Sequence, residues 1–314
     1  MSDSGELSQL RENLERIVGE DNVIENELLS KHTSFEIGGP ADLFVIPETV
    51  EQLAQTVIAC RRAAEPYLVL GRGSDLLVGD GGFRGVVIAL AEALGDVTVD
   101  GNRLCCQAGV TLADAAVIAC TLGLSGLEFA SGIPGTVGGA VFMNAGAYDG
   151  EIKQVLESAR VLLKDGRIEE MTTDELEMGY RTSRVRTEGL VVLDATFSLT
   201  PADSDTIKAT MDDLQARRAD KQPLELPSAG STFKRPEGYF AGKLISDAGL
   251  QGQSVGGAQV STKHAGFIVN TGGATASDVR KLIELVQSEV KRQFDVNLET
   301  EVIFVGEFDE TTQL

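Results

Sequence analysis

The chain has little of several residue types on which particular functions depend. Its 314 residues include no tryptophan, two histidines and four cysteines. The cysteines are Cys60, Cys105, Cys106 and Cys120, which have neither CxxC spacing nor a histidine close by in the sequence. A zinc site and a disulfide framework therefore lack support, and we expect reduced thiols and no bound metal.

Positive charge is scarce as well. Lysine and arginine number 27 against 48 aspartates and glutamates, so the formal net charge at pH 7 is -21. Such a surface repels a phosphate backbone, which argues against a nucleic-acid partner. A cleft can still gather a few cations around a small anionic ligand, and elsewhere the acidic excess favours solubility.

Long apolar runs are also missing. No stretch of about 18 apolar residues occurs, which is the length that a membrane-spanning helix needs. The polar, acidic start MSDSGELSQLRENLERIV lacks the charged-then-apolar pattern of a signal peptide. We expect a cytoplasmic protein without a membrane partner, and the sequence gives no reason to infer an obligatory protein partner.

The periodicity of the apolar residues predicts an α+β fold. The expected elements are a helix over residues 5–19, a strand over 41–47, a helix over 47–64, strands over 67–71, 86–90 and 97–99, a helix over 113–122, strands over 157–163 and 190–199, and a charged helix over 206–221. Residues 201–205 resemble a linker, so we place a domain boundary there. A last helix, capped by Ser277 and ending at Phe294, precedes a last strand over 298–305.

Two glycine-rich stretches follow predicted strands. They read GRGSDLLVGDGGFRG from Gly71 and GIPGTVGGAVFMNAGAYDGE from Gly132, the second with six glycines in twenty residues. Glycine lets backbone N–H groups come close to an anion, which is how many phosphate sites are built. Either stretch alone is equally compatible with a pair of tight turns, whereas the two together favour a site for a nucleotide pyrophosphate.

The common nucleotide fingerprints do not fit. In the first stretch Leu76 stands where the third glycine of GxGxxG belongs. The phosphate-loop pattern GxxxxGK[ST] fails around Lys243, because Glu237 replaces the first glycine and Leu244 the hydroxyl residue. Rossmann and phosphate-loop kinase functions are therefore disfavoured.

Together with other motifs, the two stretches resemble the UDP-N-acetylenolpyruvoylglucosamine reductase family. The further motifs are HTSFEIGGPADLFVIPET from His32, YRTSR from Tyr180, PSAGSTFKRP from Pro227, AGKLISDAGLQG from Ala241, KHAGFIVNTGGATASDV from Lys263 and LETEVIFVG from Leu298. They stand in the family's order and cover about residues 30 to 306. Because the motifs are many and ordered, the resemblance is far more specific than either glycine stretch.

The resemblance implies a particular division of the chain. An N-terminal helix and lead-in over residues 1–35 precede a vanillyl-alcohol-oxidase (PCMH)-type FAD-binding domain of two subdomains over 36–202. A substrate-binding α+β domain over 203–314 follows, and its last strand returns towards the active site. In related oxidases a first-loop histidine often tethers FAD, and since residues 71–85 contain none, we expect non-covalent FAD.

The same resemblance indicates which residues hold FAD, with the two glycine stretches around the pyrophosphate. The implied residues are Gly71, Arg72, Gly73, Ser74, Asp75, Gly132, Ile133, Pro134, Gly135, Thr136, Gly138, Gly139 and Asn144. Asp75 departs from the family, which usually has asparagine there. An ionised aspartate only accepts hydrogen bonds, so we expect a modest local rearrangement without loss of FAD.

By resemblance, the reaction has two halves and three catalytic residues. NADPH reduces FAD, and the reduced flavin then reduces the enolpyruvyl ether of UDP-N-acetylglucosamine to UDP-N-acetylmuramate, for peptidoglycan synthesis. Ser231 would give the proton to C2, and Arg181 would bind the substrate carboxylate and the growing negative charge. Glu301 would either hold the proton relay in place or, if protonated, stabilise the enol.

Without the family, the same three residues have plainer interpretations. Ser231 fits a turn after a glycine, and Arg181 fits a solvated surface charge. Glu301 and Glu299 fit two exposed carboxylates on one face of the last strand, because side chains alternate along a strand.

The spacing of 50 residues from Arg181 to Ser231 resembles the shorter, type II form of the family, which lacks an inserted tyrosine-bearing loop. Other residues must then cover the substrate diphosphate. The candidates are Tyr180, Lys234, Arg235, Tyr239 and Lys243.

Two rival functions remain open, an oxidase of the same fold that uses oxygen and a non-catalytic flavin-binding module. The missing first-loop histidine speaks against the first, and the three catalytic residues speak against both.

Overall fold

The computed structural model of the protein describes residues 4–90 and 93–308. Its helices are α1 (Ser4–Val18), α2 (Val50–Arg62), α3 (Leu112–Thr121), α4 (Val137–Met143), α5 (Arg184–Glu188), α6 (Ser204–Lys221), α7 (Ala241–Asp247) and α8 (Ala276–Phe294). Its strands are β1 (Val23–Leu28), β2 (Pro40–Val45), β3 (Tyr67–Leu70), β4 (Leu76–Val78), β5 (Phe83–Ala89), β6 (Val97–Asp100), β7 (Arg103–Gln107), β8 (Leu124–Ser125), β9 (Gly146–Ala147), β10 (Gly150–Glu151), β11 (Leu156–Leu162), β12 (Ile168–Thr172), β13 (Val191–Ser198), β14 (Thr200–Pro201), β15 (Ser228–Ser231), β16 (Ser254–Val255), β17 (Ala258–Val260), β18 (Phe267–Asn270) and β19 (Ile303–Val305). The predicted α+β class is confirmed.

The described residues fold as two compact units. The first takes in the described residues of the segments Met1–Ile24, Leu43–Arg72 and Val86–Arg218, and the second takes in those of Glu25–Asp42, Gly73–Gly85 and Ala219–Leu314. The sequence placed the division at 202/203, whereas the structure places it after Arg218. The physical reason lies in α6, whose Ile207 and Met211 are buried in the core of the first unit.

A five-stranded antiparallel sheet forms the centre of the first unit. Its order is β12-β11-β13-β7-β6. Strand β13, with the sequence VVLDATFS, is buried along almost its whole length, although its residues alternate between apolar and polar from Leu193 onwards. A second sheet has the order β1-β2-β5-β3, in which β3 and β5 run parallel.

The second unit has a four-stranded antiparallel sheet in the order β15-β18-β17-β16. Helix α8 buries one apolar face beside it, with Val279, Leu282, Ile283, Val286 and Val290 in the core. Strand β19 pairs in parallel with β4, which lies within the first glycine-rich stretch. The C-terminal part of the chain therefore holds that stretch in the second unit.

Two details of the predicted C-terminal part are wrong. The N-cap of α8 is Thr275, whose side chain accepts from Asp278 N, and not Ser277. The last strand covers 303–305 instead of 298–305, because before it only Thr300 pairs, in an isolated bridge with Phe233. Glu301 therefore precedes the strand and is half-buried, whereas Glu299 is exposed.

Asp80 ties the first glycine-rich stretch to the start of α8. Its carboxylate accepts from Ala276 N at 2.8 Å and from Ser277 N and Oγ at 3.0 and 2.9 Å. A carboxylate at this end of a helix satisfies orphan N–H groups and interacts favourably with the helix dipole. The side chain thus fixes the turn after β4 at one position.

We expect Asp80→Ala to lower the free energy of unfolding by about 2 kcal/mol, since hydrogen bonds to a charged group are lost. Asp80→Asn keeps acceptor capacity and is expected to lower it less. Urea denaturation curves of the three proteins measure this. Equal midpoints for Asp80→Ala and the unchanged chain would contradict the assigned role.

Candidate active site

The second glycine-rich stretch forms a compact turn that leads into α4. Thr136 caps the helix by accepting from Gly139 N, and α4 ends at Asn144, whose φ of 43° is left-handed. A Cβ on Gly71, in the first stretch, would lie 2.5 Å from Thr136 Oγ1. Glycine is therefore needed at position 71, because the start of the first glycine-rich stretch lies close against Thr136 of the second.

Several N–H groups of this turn are already used by the protein. The donors and acceptors are Ile133 N to Ala130 O, Val137 N to Val110 O, Gly138 N to Ala108 O, and Gly139 N to Thr136 Oγ1. Pro134 has no N–H to give. Among the backbone N–H groups of this turn, those of Gly132, Gly135 and Thr136 would therefore be the ones to donate to a phosphate. This set is narrower than the one that the sequence indicated.

Two arginines near the end of α6 lie beside the second glycine-rich stretch, and sequence reasoning missed both. A Cβ on Gly132 would lie 3.2 Å from both Cδ and Nη1 of Arg218, so the arginine side chain passes directly over bare backbone. Burial lowers the pKa of the Arg218 guanidinium. The guanidinium of Arg217 lies 4.8 Å from the centre of the Tyr148 ring. A signal was present in the sequence, an Arg-Arg pair in a helix that has as many acidic as basic residues.

The rest of the first stretch belongs to the second unit. Gly73 O accepts from Ser34 N at 3.3 Å, and Asp75 O accepts from Ile303 N at 2.9 Å. Both Ser74 and Asp75 are half-buried, whereas Arg72, in the first unit, is exposed. The backbone of this loop is thus held by the motif that starts at His32 and by the C-terminal strand.

Arg181 lies in a strained turn of the first unit. Its φ is 55°, in the left-handed region that non-glycine residues seldom adopt. The guanidinium donates from Nη2 to Gly146 O at 3.1 Å and lies 5.1 Å from the centre of the Tyr180 ring. Arg186 Nη1 donates to the Arg181 carbonyl at 2.8 Å. Backbone and side chain of Arg181 are therefore both held from outside the turn.

Ser231 and the backbone of Glu301 both adjoin Thr232 in the second unit. Ser231 is exposed at the end of β15, and the next residue, Thr232, is buried. The carbonyl of Thr232 accepts from Glu301 N at 2.9 Å, and its hydroxyl accepts from Ile268 N at 3.1 Å. The backbone of Glu301 is thus bonded to the residue that follows Ser231, and the Glu301 side chain is half-buried.

The candidate diphosphate residues of the second unit differ in how they are held. Lys234 lies 3.2 Å from the exposed carboxylate of Glu299, and the Arg235 guanidinium stacks 4.0 Å from the ring centre of Phe240. Lys243 Nζ donates to Asp247 within α7 at 2.7 Å. Tyr239 is 47% exposed. In the first unit, Tyr180 is likewise open to solvent.

Two of the four cysteines, Cys60 and Cys106, are buried, and Cys105 and Cys120 are half-buried. None of the four is in a disulfide, and burial raises the pKa of Cys60 and of Cys106 to about 12, so these two stay protonated.

Within residues 4–90 and 93–308, no three His, Cys, Asp or Glu side chains cluster so that they would hold a metal ion. Over the same residues, no helix has both the length and the apolar character to cross a membrane.

Comparison with known proteins gives matches along nearly the whole chain. A family model described as "FAD binding domain" matches residues 41–172, and one described as "UDP-N-acetylenolpyruvoylglucosamine reductase, C-terminal domain" matches residues 222–305. A UDP-N-acetylenolpyruvoylglucosamine reductase of Clostridium botulinum (strain Hall) is 55% identical over 293 residues, which are 93% of this chain and 95% of that protein. The chain belongs to the UDP-N-acetylenolpyruvoylglucosamine reductase family.

Two other relatives support the same family. The reductase of Pediococcus pentosaceus is 53% identical over 285 residues, 91% of this chain and 95% of that protein. The crystal structure of the reductase from Thermus caldophilus has a TM-score of 0.77 at 37% identity, and it covers 89% of this chain and 97% of that one. The predictions of the family, of the fold and of an FAD-dependent reductase are confirmed.

The residues present fit FAD. The pyrophosphate of FAD carries two negative charges, and an acidic chain must supply positive charge locally to bind it. The first unit offers both the bare backbone at Gly132 and the guanidinium of Arg218 directly against it. Individual FAD contacts remain predictions.

Proposed function

We propose that the chain reduces UDP-N-acetylglucosamine enolpyruvate to UDP-N-acetylmuramate in the cytoplasm, with NADPH as the source of electrons. The observation that carries this proposal is the placement of Ser231 and Glu301 next to one residue: Ser231 precedes Thr232 in the chain, and Glu301 N donates to the Thr232 carbonyl at 2.9 Å. An oxidase that uses oxygen has no need of a proton donor for a substrate carbon. A flavin-binding module without activity needs neither residue.

The chemistry that the protein must support follows from the substrate. When bound and reduced by NADPH, FAD would supply the hydride that adds to C3 of the enolpyruvyl double bond. Negative charge then develops at C2, next to the substrate carboxylate. The planar guanidinium of Arg181 has the geometry to bind that carboxylate through two parallel hydrogen bonds and to stabilise the charge.

The remaining step at the substrate is the transfer of a proton to C2. A serine hydroxyl is a weak acid, but an enolate is a strong enough base to take its proton. Ser231 is exposed and so can reach a bound substrate. Glu301 would orient the donor or, when protonated, stabilise the enol.

Among the candidates for binding the substrate diphosphate, we propose Lys234 and Arg235, two cationic side chains that lie close to Ser231 in the sequence.

The proposed function is tested by the visible spectrum of the purified protein without oxygen. Spectra are recorded before NADPH, after NADPH, and after addition of UDP-N-acetylglucosamine enolpyruvate. We expect flavin bands that bleach with NADPH and return with the enolpyruvyl substrate. Return of the bands only on admission of oxygen would favour the oxidase, and flavin that NADPH fails to bleach would contradict the proposed electron source.

A further inference from the structure

Backbone strain in this chain is concentrated in two turns of the first unit. Nine non-glycine residues among those that the structure describes have positive φ, and five of them lie in residues 144–149 and 177–181. These five are Asn144, Tyr148, Asp149, Glu177 and Arg181. Such conformations cost of the order of 1 to 3 kcal/mol each and persist only where surrounding contacts impose them. The contacts that impose them here therefore indicate which residues set the position of Arg181.

The side chain of Asn144 joins the two turns. It is fully buried, and its Nδ2 donates to Gly179 O at 3.0 Å and to Glu151 Oε2 at 2.9 Å, while its Oδ1 accepts from Lys153 N at 3.0 Å. The orientation of the amide is unambiguous, since the opposite one would place an oxygen against a carboxylate and a carbonyl. Both amide protons are used, and none remains for a flavin phosphate.

The turn that Asn144 reaches is the one that carries the catalytic arginine. Gly179 N donates to Thr182 O at 3.0 Å, which closes the turn around Tyr180 and Arg181. From the other direction, Arg181 Nη2 donates to Gly146 O, two residues after Asn144. The two turns thus bond to each other twice, once through a buried amide and once through the guanidinium itself.

The carboxylate of Glu151 keeps the Asn144 amide in place. Glu151 Oε1 lies 2.9 Å from Lys153 Nζ, and the Glu151 side chain also caps a short helical turn by accepting from Gln154 N. With these partners the carboxylate is fixed in one orientation, and its second oxygen accepts from Asn144 in a charge-assisted bond. The support therefore extends from the end of the second glycine-rich stretch to Gly179.

We propose that Asn144 is a positioning residue for Arg181 and not a ligand of FAD. Its amide fixes the strained turn so that the guanidinium is oriented before substrate binds. This inference rests on the proposed function, in which Arg181 binds the substrate carboxylate. It replaces the cofactor role that the family resemblance implied for Asn144.

The test uses Asn144→Gly, because glycine keeps the left-handed backbone at no steric cost and removes only the side chain. We expect full FAD content and flavin reduction by NADPH within about twofold of the unchanged chain. We expect kcat/KM for the enolpyruvyl substrate to fall about tenfold, since a small misplacement of a binding group costs one to two orders of magnitude. Amide hydrogen exchange over residues 177–187 should become faster.

Two comparisons make the test specific. Asn26 also has positive φ, of 55°, and is exposed, so Asn26→Gly is the matched substitution and should change neither the rates nor the exchange over 177–187. Adding Asn144→Gly to Arg181→Lys should cause no further loss, because residues that act as one unit are not additive. A purely structural residue would add its loss to that of the arginine.

The results that overturn the inference differ from those that overturn the proposed function. Loss of FAD from Asn144→Gly, or equal slowing of both half-reactions, would indicate that the Asn144 side chain binds FAD after all. Unchanged exchange over residues 177–187 would remove the link to the Arg181 turn, whatever the activity. If the unchanged chain failed to reduce the enolpyruvyl substrate, the proposed function would fall, and the exchange measurement would still decide whether Asn144 holds the turn.

Discussion

Replacing Ser231 by alanine is expected to slow the return of flavin absorbance with the enolpyruvyl substrate by about 10² to 10⁴, the usual contribution of a general acid. Flavin reduction by NADPH should be unchanged, because no proton passes to the substrate carbon in that half-reaction. The hydroxyl is exposed and stands outside the core, so its removal leaves no cavity in the core. Anaerobic stopped-flow absorbance measures each half-reaction separately.

A control and a sharper readout accompany this prediction. Ser254 is an exposed serine in the same unit, and Ser254→Ala should leave both half-reactions unchanged. With Ser231→Ala, the incorporation of solvent deuterium at C2 should slow together with the return of absorbance. If both half-reactions slowed equally, Ser231 would be a structural residue, and the proton donor would have to be sought elsewhere.

The positions of most helices and strands followed from local sequence. The predicted helix over 5–19 and the strand over 190–199 correspond to α1 and β13 within two residues, because apolar periodicity reports which side of an element is buried. The predicted strand over 298–305 does not match β19 in length, because strand pairing there is decided by a partner that is distant in the sequence. Only Ile303 to Val305 form a continuous ladder, with β4 more than 200 residues earlier, whereas Thr300 makes an isolated bridge with Phe233.

The same distinction between local and distant information applies to the site. Motif resemblance pointed to Arg181, Ser231 and Glu301, since such motifs are continuous in sequence. It did not indicate that Arg218 passes over Gly132, because that contact joins α6 to a turn about 85 residues earlier. Nor did it show that the Asn144 amide is used by the protein itself. Which polar groups remain available for a ligand is a property of the folded chain alone.

The division of the chain also depends on packing that a linker pattern does not reveal. Residues 201–205 have the composition of a linker, and β14, with Thr200 and Pro201, pairs with β8 there. The chain nevertheless remains in the first unit until Arg218, since α6 contributes buried side chains to that core. As a consequence, Arg217 and Arg218 lie in the same unit as the second glycine-rich stretch, where their charge can serve an anionic ligand.

Arg181→Lys is expected to lower kcat for the enolpyruvyl substrate by about 10² to 10³, the cost of removing one donor from a developing negative charge. The substitution keeps the positive charge but loses the planar fork that binds a carboxylate with two parallel hydrogen bonds. KM should rise as well, because the carboxylate is present before reaction and its binding is weakened. Flavin reduction by NADPH should remain within about twofold, since that half-reaction involves no substrate carboxylate.

A methyl ester of the substrate separates this role from a general effect of charge. The unchanged chain should lose as much activity with the ester as it loses through Arg181→Lys with the acid, and the variant should hardly distinguish the two substrates. Arg184→Lys is the matched control, because Arg184 lies three residues on and pairs with Glu188 at 2.7 Å. If Arg181→Lys still preferred the acid by the full factor, the carboxylate would bind elsewhere, and the strained turn around Arg181 would need another explanation.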